Sequence, residues 1–158
     1  MLFRSKKQRE NTTAYTATTT LIIGLNAIFD IIDEYGVDNL YSDTANRANA
    51  TQKALEAIGF EIYPKTPALS MSTVADSDAE AIRKLLKTKY GVNMAGGQDH
   101  LKGKIFRINQ MGIIPVYESV WVVNAIELAL GDLGRREFDG TASRIFNENY
   151  FNKNDLKA

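Results

Sequence analysis

Tyr90-Gly-Val-Asn-Met-Ala-Gly-Gly-Gln-Asp-His-Leu-Lys-Gly-Lys-Ile-Phe-Arg-Ile-Asn-Gln-Met-Gly112 is the stretch that decides the fold. Two short apolar runs flank a polar, glycine-rich turn. Val92 to Ala95 reads as one strand and Ile105 to Ile108 as another. Gly96, Gly97 and Gly103 between them supply the backbone freedom of a tight reversal. Arg107 falls in the middle of the second strand. Strand side chains alternate between faces, so Arg107 points away from Phe106 and Ile108. With those two facing a core, Arg107 faces solvent, a cleft or a neighbouring domain. Two readings follow: a solvated arginine on an open sheet face, or a planar fork that takes a carboxylate through two parallel hydrogen bonds.

Ala95-Gly96-Gly97-Gln98, Leu101-Lys102-Gly103-Lys104-Ile105-Phe106-Arg107-Ile108 and Met111-Gly112 together resemble the C-terminal small domain of class V aminotransferases. The branch they resemble is the alanine–glyoxylate and serine–pyruvate type, including members labelled soluble hydrogenase small subunit. The resemblance implies a pyridoxal-phosphate enzyme of fold type I, and it gives Arg107 the role of binding the substrate α-carboxylate. The stretch departs from the family pattern at Asp99, where glycine is common, and at Asn109-Gln110, where Gly-His is common. Neither departure removes the arginine, and both lie close enough to it to bear on substrate preference.

The chain has 158 residues, with 19 basic and 19 acidic side chains and no cysteine. That length suits one domain. The balanced charge gives no electrostatic case for nucleic acid or a membrane surface. Lack of cysteine excludes disulfides, thiolate ligands and a cysteine nucleophile, and it fits a cytoplasmic protein. No apolar run has transmembrane length, and no signal-peptide core follows the N-terminal charges. No cluster reads as a metal site.

Taken in order, Met1 to Glu10 is a basic arm, and Asn11 to Thr20 holds six threonines in ten residues. Threonine is a weak helix-interior residue but a good cap, so residues 1–20 read as an arm and loop ending in an N-cap at Thr18, Thr19 or Thr20. The loop resembles the class V segment that reaches the cofactor phosphate of the neighbouring subunit. The resemblance assigns that contact to Thr13, Tyr15 and Thr16, with Ala14 and Ala17 where proline is usual. Residues 21–158 form the small domain. Leu21, Leu25, Ile28, Ile31 and Ile32 share one face of a helix capped by Gly36, a stripe that reads as core. A second helix runs from Val37 to Ile58, with Leu40, Tyr41, Ala48, Leu55 and Ile58 inward and Gly59 as its stop. Phe60 to Tyr63 and Ser72 to Ala75 read as strands. A helix capped at Asp76 or Ser77 runs to Lys89. Pro115 opens another, with Val116, Val120, Val123, Ile126 and Leu130 inward and Trp121 at its edge. A short amphipathic helix lies within residues 135–158. His100, the only histidine, reads as exposed in its turn. Five residues separate Gly97 from Gly103, and Ile105 follows Lys104, so this is no Walker loop.

The fold class is therefore α+β: a small, mainly antiparallel sheet with helices on one face, resembling the C-terminal domain of fold type I transferases. The other face is meant for a large domain. An aminotransferase needs a lysine that links to the cofactor and an acid for the pyridine nitrogen, and the family carries both in its large N-terminal domain. Lys6, Lys7 and Lys53 lack the family's Ser-x-Lys context. The chain is thus expected to supply the carboxylate clamp of a pyridoxal-phosphate enzyme that moves an amino group from an amino acid to a 2-oxo acid. It is expected to bind no cofactor and to be inactive by itself. Its expected partners are an N-terminal cofactor-binding domain or chain, further copies of itself, and a small amino-acid or 2-oxo-acid substrate. A split subunit, an excised domain, a truncated product and a non-catalytic binding module all remain open.

Overall fold

The computed structural model describes residues 9–10 and 18–151, and the chain divides into two compact units, residues 1–39 and 40–158. In the first unit, helix α1 spans Thr19–Tyr35. The Thr18 carbonyl accepts the first helical bonds, from Leu21 N–H at 3.1 Å and Ile22 N–H at 3.2 Å. Gly36, at φ 88°, ends it and donates to the Ile32 carbonyl at 2.8 Å. Both termini fall where the threonine and glycine signals put them. The apolar stripe does not behave as core: α1 buries none of its residues, and Leu21 and Ile23 are each 69% exposed. This corrects the expectation for α1. After Thr19 and Thr20, Asn26, Asp30, Asp33 and Glu34 make a narrow polar strip, so most of the circumference is apolar. An apolar arc that broad suits a helix covered on more than one side.

Helix α2, Val37–Ala57, follows directly. In the second unit its buried residues are Arg47, Ala48, Ala50, Thr51, Ala54 and Leu55. Tyr41, expected inward, is 69% exposed, and Leu40 is half-buried. Gly59 turns the chain out of the helix at φ 93°. The remaining order is β1 (Glu61–Ile62), β2 (Met71–Ala75), α3 (Ala79–Lys89), β3 (Ala95–Gly96), a 3₁₀ turn (Asp99–Leu101), β4 (Ile105–Asn109), α4 (Val116–Asp132) and α5 (Thr141–Phe151). The strands form one antiparallel sheet in the order β1-β2-β4-β3. The α+β class holds. The first strand of the opening stretch is shorter and later than its apolar pattern suggests. Only Ala95 and Gly96 pair with β4, while Val92 and Met94 are buried without strand pairing.

Residues paired across antiparallel strands share a face. Phe106 pairs with Val74 and Gly96, and Ile62 pairs with Val74. Phe106 and Val74 are fully buried in the cluster that takes Ala54 and Leu55 of α2, Ile82 and Leu86 of α3, Val123, Ile126 and Leu130 of α4 and Phe146 of α5. Phe60 meets the Phe106 ring edge-on, with centroids 5.6 Å apart. Each of the valine, leucine, isoleucine and phenylalanine side chains contributes about 1.5–3 kcal/mol on burial. Trp121 stays at the edge of α4, its indole N–H donating to the Tyr90 carbonyl at 3.2 Å.

Polar contacts fasten the helix ends. Asp76 accepts the Asp78 N–H at 2.7 Å and is gripped by both Arg135 terminal nitrogens, at 2.6 and 2.8 Å. Burial pushes the Asp76 carboxyl up. The bonds from Arg135 and the Asp78 N–H, with the Arg135 charge, outweigh it and hold it below its ordinary value. Glu127, fully buried in α4, caps α5 by accepting Thr141 N–H at 3.2 Å and Ala142 N–H at 2.9 Å, with Arg136 Nε at 3.3 Å. A carboxylate suits a helix N-terminus because unpaired N–H groups and the helix dipole both favour negative charge there.

Candidate functional site

The site is built on β4, an interior strand. Arg107 sits at its centre, opposite Thr73 on β2 and Ala95 on β3. Strand pairing on both sides of β4 fixes the backbone there. Phe106 and Ile108 turn into the core, and Arg107 takes the other face, half-buried, as strand alternation requires. That face is not fully open, since Ile105 and Thr73 are buried on it. The neighbours directly beside Arg107 are small, a threonine and an alanine, so its guanidinium stands without a bulky side chain on either side. Among the described residues Arg107 makes no ion pair or side-chain hydrogen bond, and its Nε is buried without an acceptor. A buried donor left unpaired costs about 1–3 kcal/mol. A carboxylate could meet such a fork with two oxygens.

The glycine-rich turn sets the height of this strand. A Cβ on Gly97 would collide with the Leu101 carbonyl and come within 2.8 Å of Ile105 Cγ1. Gly97 is thus required by close approach of backbone to backbone. A Cβ on Gly96 would meet the Arg83 guanidinium at 2.7 Å. Arg83 lies there because its Nε donates to the Met94 carbonyl at 3.0 Å and its Nη1 to Glu80 at 2.7 Å. Gly103, at φ 76°, supplies a left-handed residue before β4. Asp99 is the non-glycine residue with positive φ among those described, at 47°. That conformation explains why glycine suits its position, and aspartate is among the few residues that tolerate it.

The other sequence candidates do not converge on Arg107. His100 is exposed in the 3₁₀ turn. Lys53 is exposed on α2 and paired with Glu56 at 2.8 Å. Thr13, Tyr15 and Thr16 lie outside the described residues. Among the described residues no group of three or more histidines or carboxylates could hold a metal, and no helix is long and apolar enough to cross a membrane. A cavity of about 120 Å³ at the end of β4, lined by Thr51, Ile108, Gln110 and Ser119 among others, lies beside the core-facing side of the strand. It is smaller than the roughly 300 Å³ at which ligand pockets begin. Sequence reasoning missed Arg47, a fully buried arginine of α2 whose Nη2 donates to the Gln110 carbonyl at 3.0 Å and the Gly112 carbonyl at 2.6 Å. Nothing local in α2 marks it, since both acceptors lie more than sixty residues away.

Comparison with known proteins gives a consistent picture. No family model matches the chain. It is 49% identical over 147 residues to an uncharacterized aminotransferase of Helicobacter pylori, covering 92% of this chain and 40% of the relative. It is 38% identical to an uncharacterized aminotransferase of Methanocaldococcus jannaschii, covering 84% of this chain and 34% of the relative. Against the serine–glyoxylate aminotransferase of Hyphomicrobium methylovorum the identity is 29%, over 91% of this chain and 37% of the relative. The chain therefore spans about two fifths of the length of the curated relatives it matches. In solved structures the same fold recurs in the pyridoxamine–pyruvate aminotransferase of Mesorhizobium loti, with TM-score 0.77, 22% identity, 85% of this chain and 36% of that one. It recurs also in the ureidoglycine–glyoxylate aminotransferase of Bacillus subtilis, with TM-score 0.71, 20% identity, 77% of this chain and 33% of that one.

Proposed function

From a chain related to the C-terminal part of class V aminotransferases, we propose a working part of such an enzyme: the element that recognises the α-carboxylate of an amino-acid or 2-oxo-acid substrate through Arg107. The single observation that carries this reading is the guanidinium of Arg107, held on an interior strand between two small side chains with no protein partner among the described residues and a buried Nε unpaired. An arginine with a purely structural role is expected to spend its donors on the protein.

The described residues do not by themselves fit pyridoxal phosphate. Lys53 is exposed and ion-paired, and the loop of Thr13, Tyr15 and Thr16 lies outside them. In a complete enzyme that cofactor supplies the electron sink for amino transfer. The lysine that holds it belongs, in this reading, to a large domain outside this chain. The broad apolar surface of α1 supports the same reading, because seven apolar side chains of that helix are about half or more exposed and call for a cover. By itself the chain is then a carboxylate-binding part without amino-transfer activity, and its partner is the cofactor-bearing domain or chain, with self-association through the same exposed surface. What Arg107 does is bind and orient: two parallel hydrogen bonds fix both the position and the plane of the carboxylate, leaving the α-carbon directed toward the partner.

Native mass measurement of the protein purified from its source cells tests the partnership. Co-purification with a larger, cofactor-bearing chain, or appearance within one long polypeptide, agrees with the proposal. A small chain alone and colourless refutes it. In the active complex Arg107→Ala is expected to raise the amino-acid KM by at least tenfold, and an unchanged KM sinks the assignment of Arg107.

A further inference from the structure

We propose that Arg47 is a positioning residue for Arg107: by anchoring the chain where β4 ends, it sets the place at which the carboxylate fork stands. The inference rests on the reading of Arg107 as that fork. Arg47 is the largest fully buried side chain among the described residues. It comes from α2, yet its Nη2 reaches two carbonyls of one loop, Gln110 at 3.0 Å and Gly112 at 2.6 Å. It also approaches Thr44 Oγ1 of its own helix at 3.4 Å. Its Nε is buried with no partner. A buried cation that leaves a donor unpaired is poor evidence for stability, because desolvation offsets much of what its hydrogen bonds return. Such a group is better explained by what it holds in place.

What it holds is the exit of the strand. At the entry of β4 the Lys104 carbonyl accepts the Asp76 N–H at 2.9 Å. At the exit the Gln110 N–H donates to the Ser70 carbonyl at 2.9 Å, and the Met111 N–H to Asn109 Oδ1 at 3.2 Å. The exit then bends, with Gly112 at φ 100°, and both bent carbonyls converge on one Arg47 nitrogen. Arg107 lies three residues before the first of them. Without Arg47 the β2–β4 ladder still holds the strand from one side, but its exit loses the anchor from α2. A fork that must meet two oxygens in one plane tolerates little displacement.

The test uses the whole chain, with acetate as the carboxylate probe and acetamide as the uncharged control. Nitrogen-15 NMR follows the Arg107 Nε–Hε signal, and hydrogen exchange follows the Gln110 and Met111 amides. In Arg47→Met these two amides should exchange at least tenfold faster while Val74 and Phe106 keep their protection. Acetate affinity should fall at least fivefold. Arg47→Lys, which keeps the charge and a donor, should recover part of both. Should the methionine variant fail to fold, the lysine variant is read by the same two signals, with a smaller loss expected. A folded variant with unchanged acetate affinity overturns the proposal, whether or not the loop loosens, since loosening alone is a structural role. An unmodified chain that gives no specific acetate response, or a response that survives Arg107→Ala, refutes the fork itself and the proposal with it.

Discussion

Gly97→Ala is the sharpest probe of how the turn holds the site. Gly97 does not have positive φ, so the substitution adds no left-handed strain, and its cost is steric. The new methyl would overlap the Leu101 carbonyl, with its carbon 2.6 Å away, and press on Ile105 Cγ1 at 2.8 Å. Leu101 cannot step aside freely. Its N–H donates to the Gln98 carbonyl at 2.9 Å, and its own carbonyl accepts the Lys104 N–H at 3.0 Å. Relief therefore opens the turn, giving up about two hydrogen bonds at roughly 1 kcal/mol each. It also partly unpacks Ile105, for another 1–2 kcal/mol or so. The expected loss is about 3–4 kcal/mol, read as a lower urea midpoint with unchanged slope. Gly103→Ala is the internal comparison. Its φ of 76° disfavours a side chain, but nothing lies within 4 Å of the added atom. Its loss should be only about 1–2 kcal/mol. If Gly97→Ala costs less than about 1 kcal/mol, or no more than Gly103→Ala, the close approach does not govern the turn.

Further expectations concern the contacts around it. Asp99→Gly should raise stability by up to about 1 kcal/mol by relieving the residue's positive φ, and a loss of that size in thermal melting contradicts the strain argument. Glu127→Gln should cost about 2–4 kcal/mol, because a donor replaces an acceptor oxygen among the Thr141 and Ala142 N–H groups; early loss of protection in α5 on hydrogen exchange would show where. Asp76 has its folded pKa held down by the Arg135 and Asp78 contacts, against the upward push of burial. Its stabilising contribution is therefore complete above the ordinary carboxylate pKa near 4 and is lost as pH falls through the folded value. Stability of the chain should decline below about pH 4, and Asp76→Asn should flatten that decline; an equally steep acid limb in the variant contradicts the assignment. Leu25→Glu on α1 should reduce self-association seen by light scattering, since Leu25 is 51% exposed on an apolar helix, and an unchanged molar mass speaks against that surface as the seam.

Much of this was legible in order along the chain, because it depends on local rules. Gly36 and Gly59 end their helices at the positive φ that glycine adopts without penalty. Val123, Ile126 and Leu130 share a helical face and are buried together. Alternation alone put Arg107 opposite Phe106 and Ile108. Periodicity failed where burial depends on what lies alongside. The stripe of α1 has the spacing of a core helix, yet spacing says only that a face is apolar and not that this chain covers it. Val92 and Met94 alternate like a strand and are buried, but only Ala95 and Gly96 pair with β4. Arg47 and Glu127 were invisible for a different reason. Each is a charged residue made tolerable inside by donors or acceptors brought from another element, the β4–α4 loop for one and the start of α5 for the other.

The placement of these groups bears on how the proposed carboxylate site would be held on so small a sheet. β2 pairs with β4 along its whole length, but β3 pairs with only two of its residues, Arg107 and Phe106. The entry of β4 is fixed by the glycine turn over Ile105, and its exit by a guanidinium from α2. Between these two fixed points stands Arg107, the one strand cation among the described residues, with its Nε unpaired. Rigid support at both ends and an unsatisfied group in the middle is the pattern of preorganisation, in which the protein meets the cost of ordering before the ligand arrives. With Arg107 as the proposed carboxylate fork, these two anchors predict that loosening either end weakens binding while the core facing Phe106 stays intact.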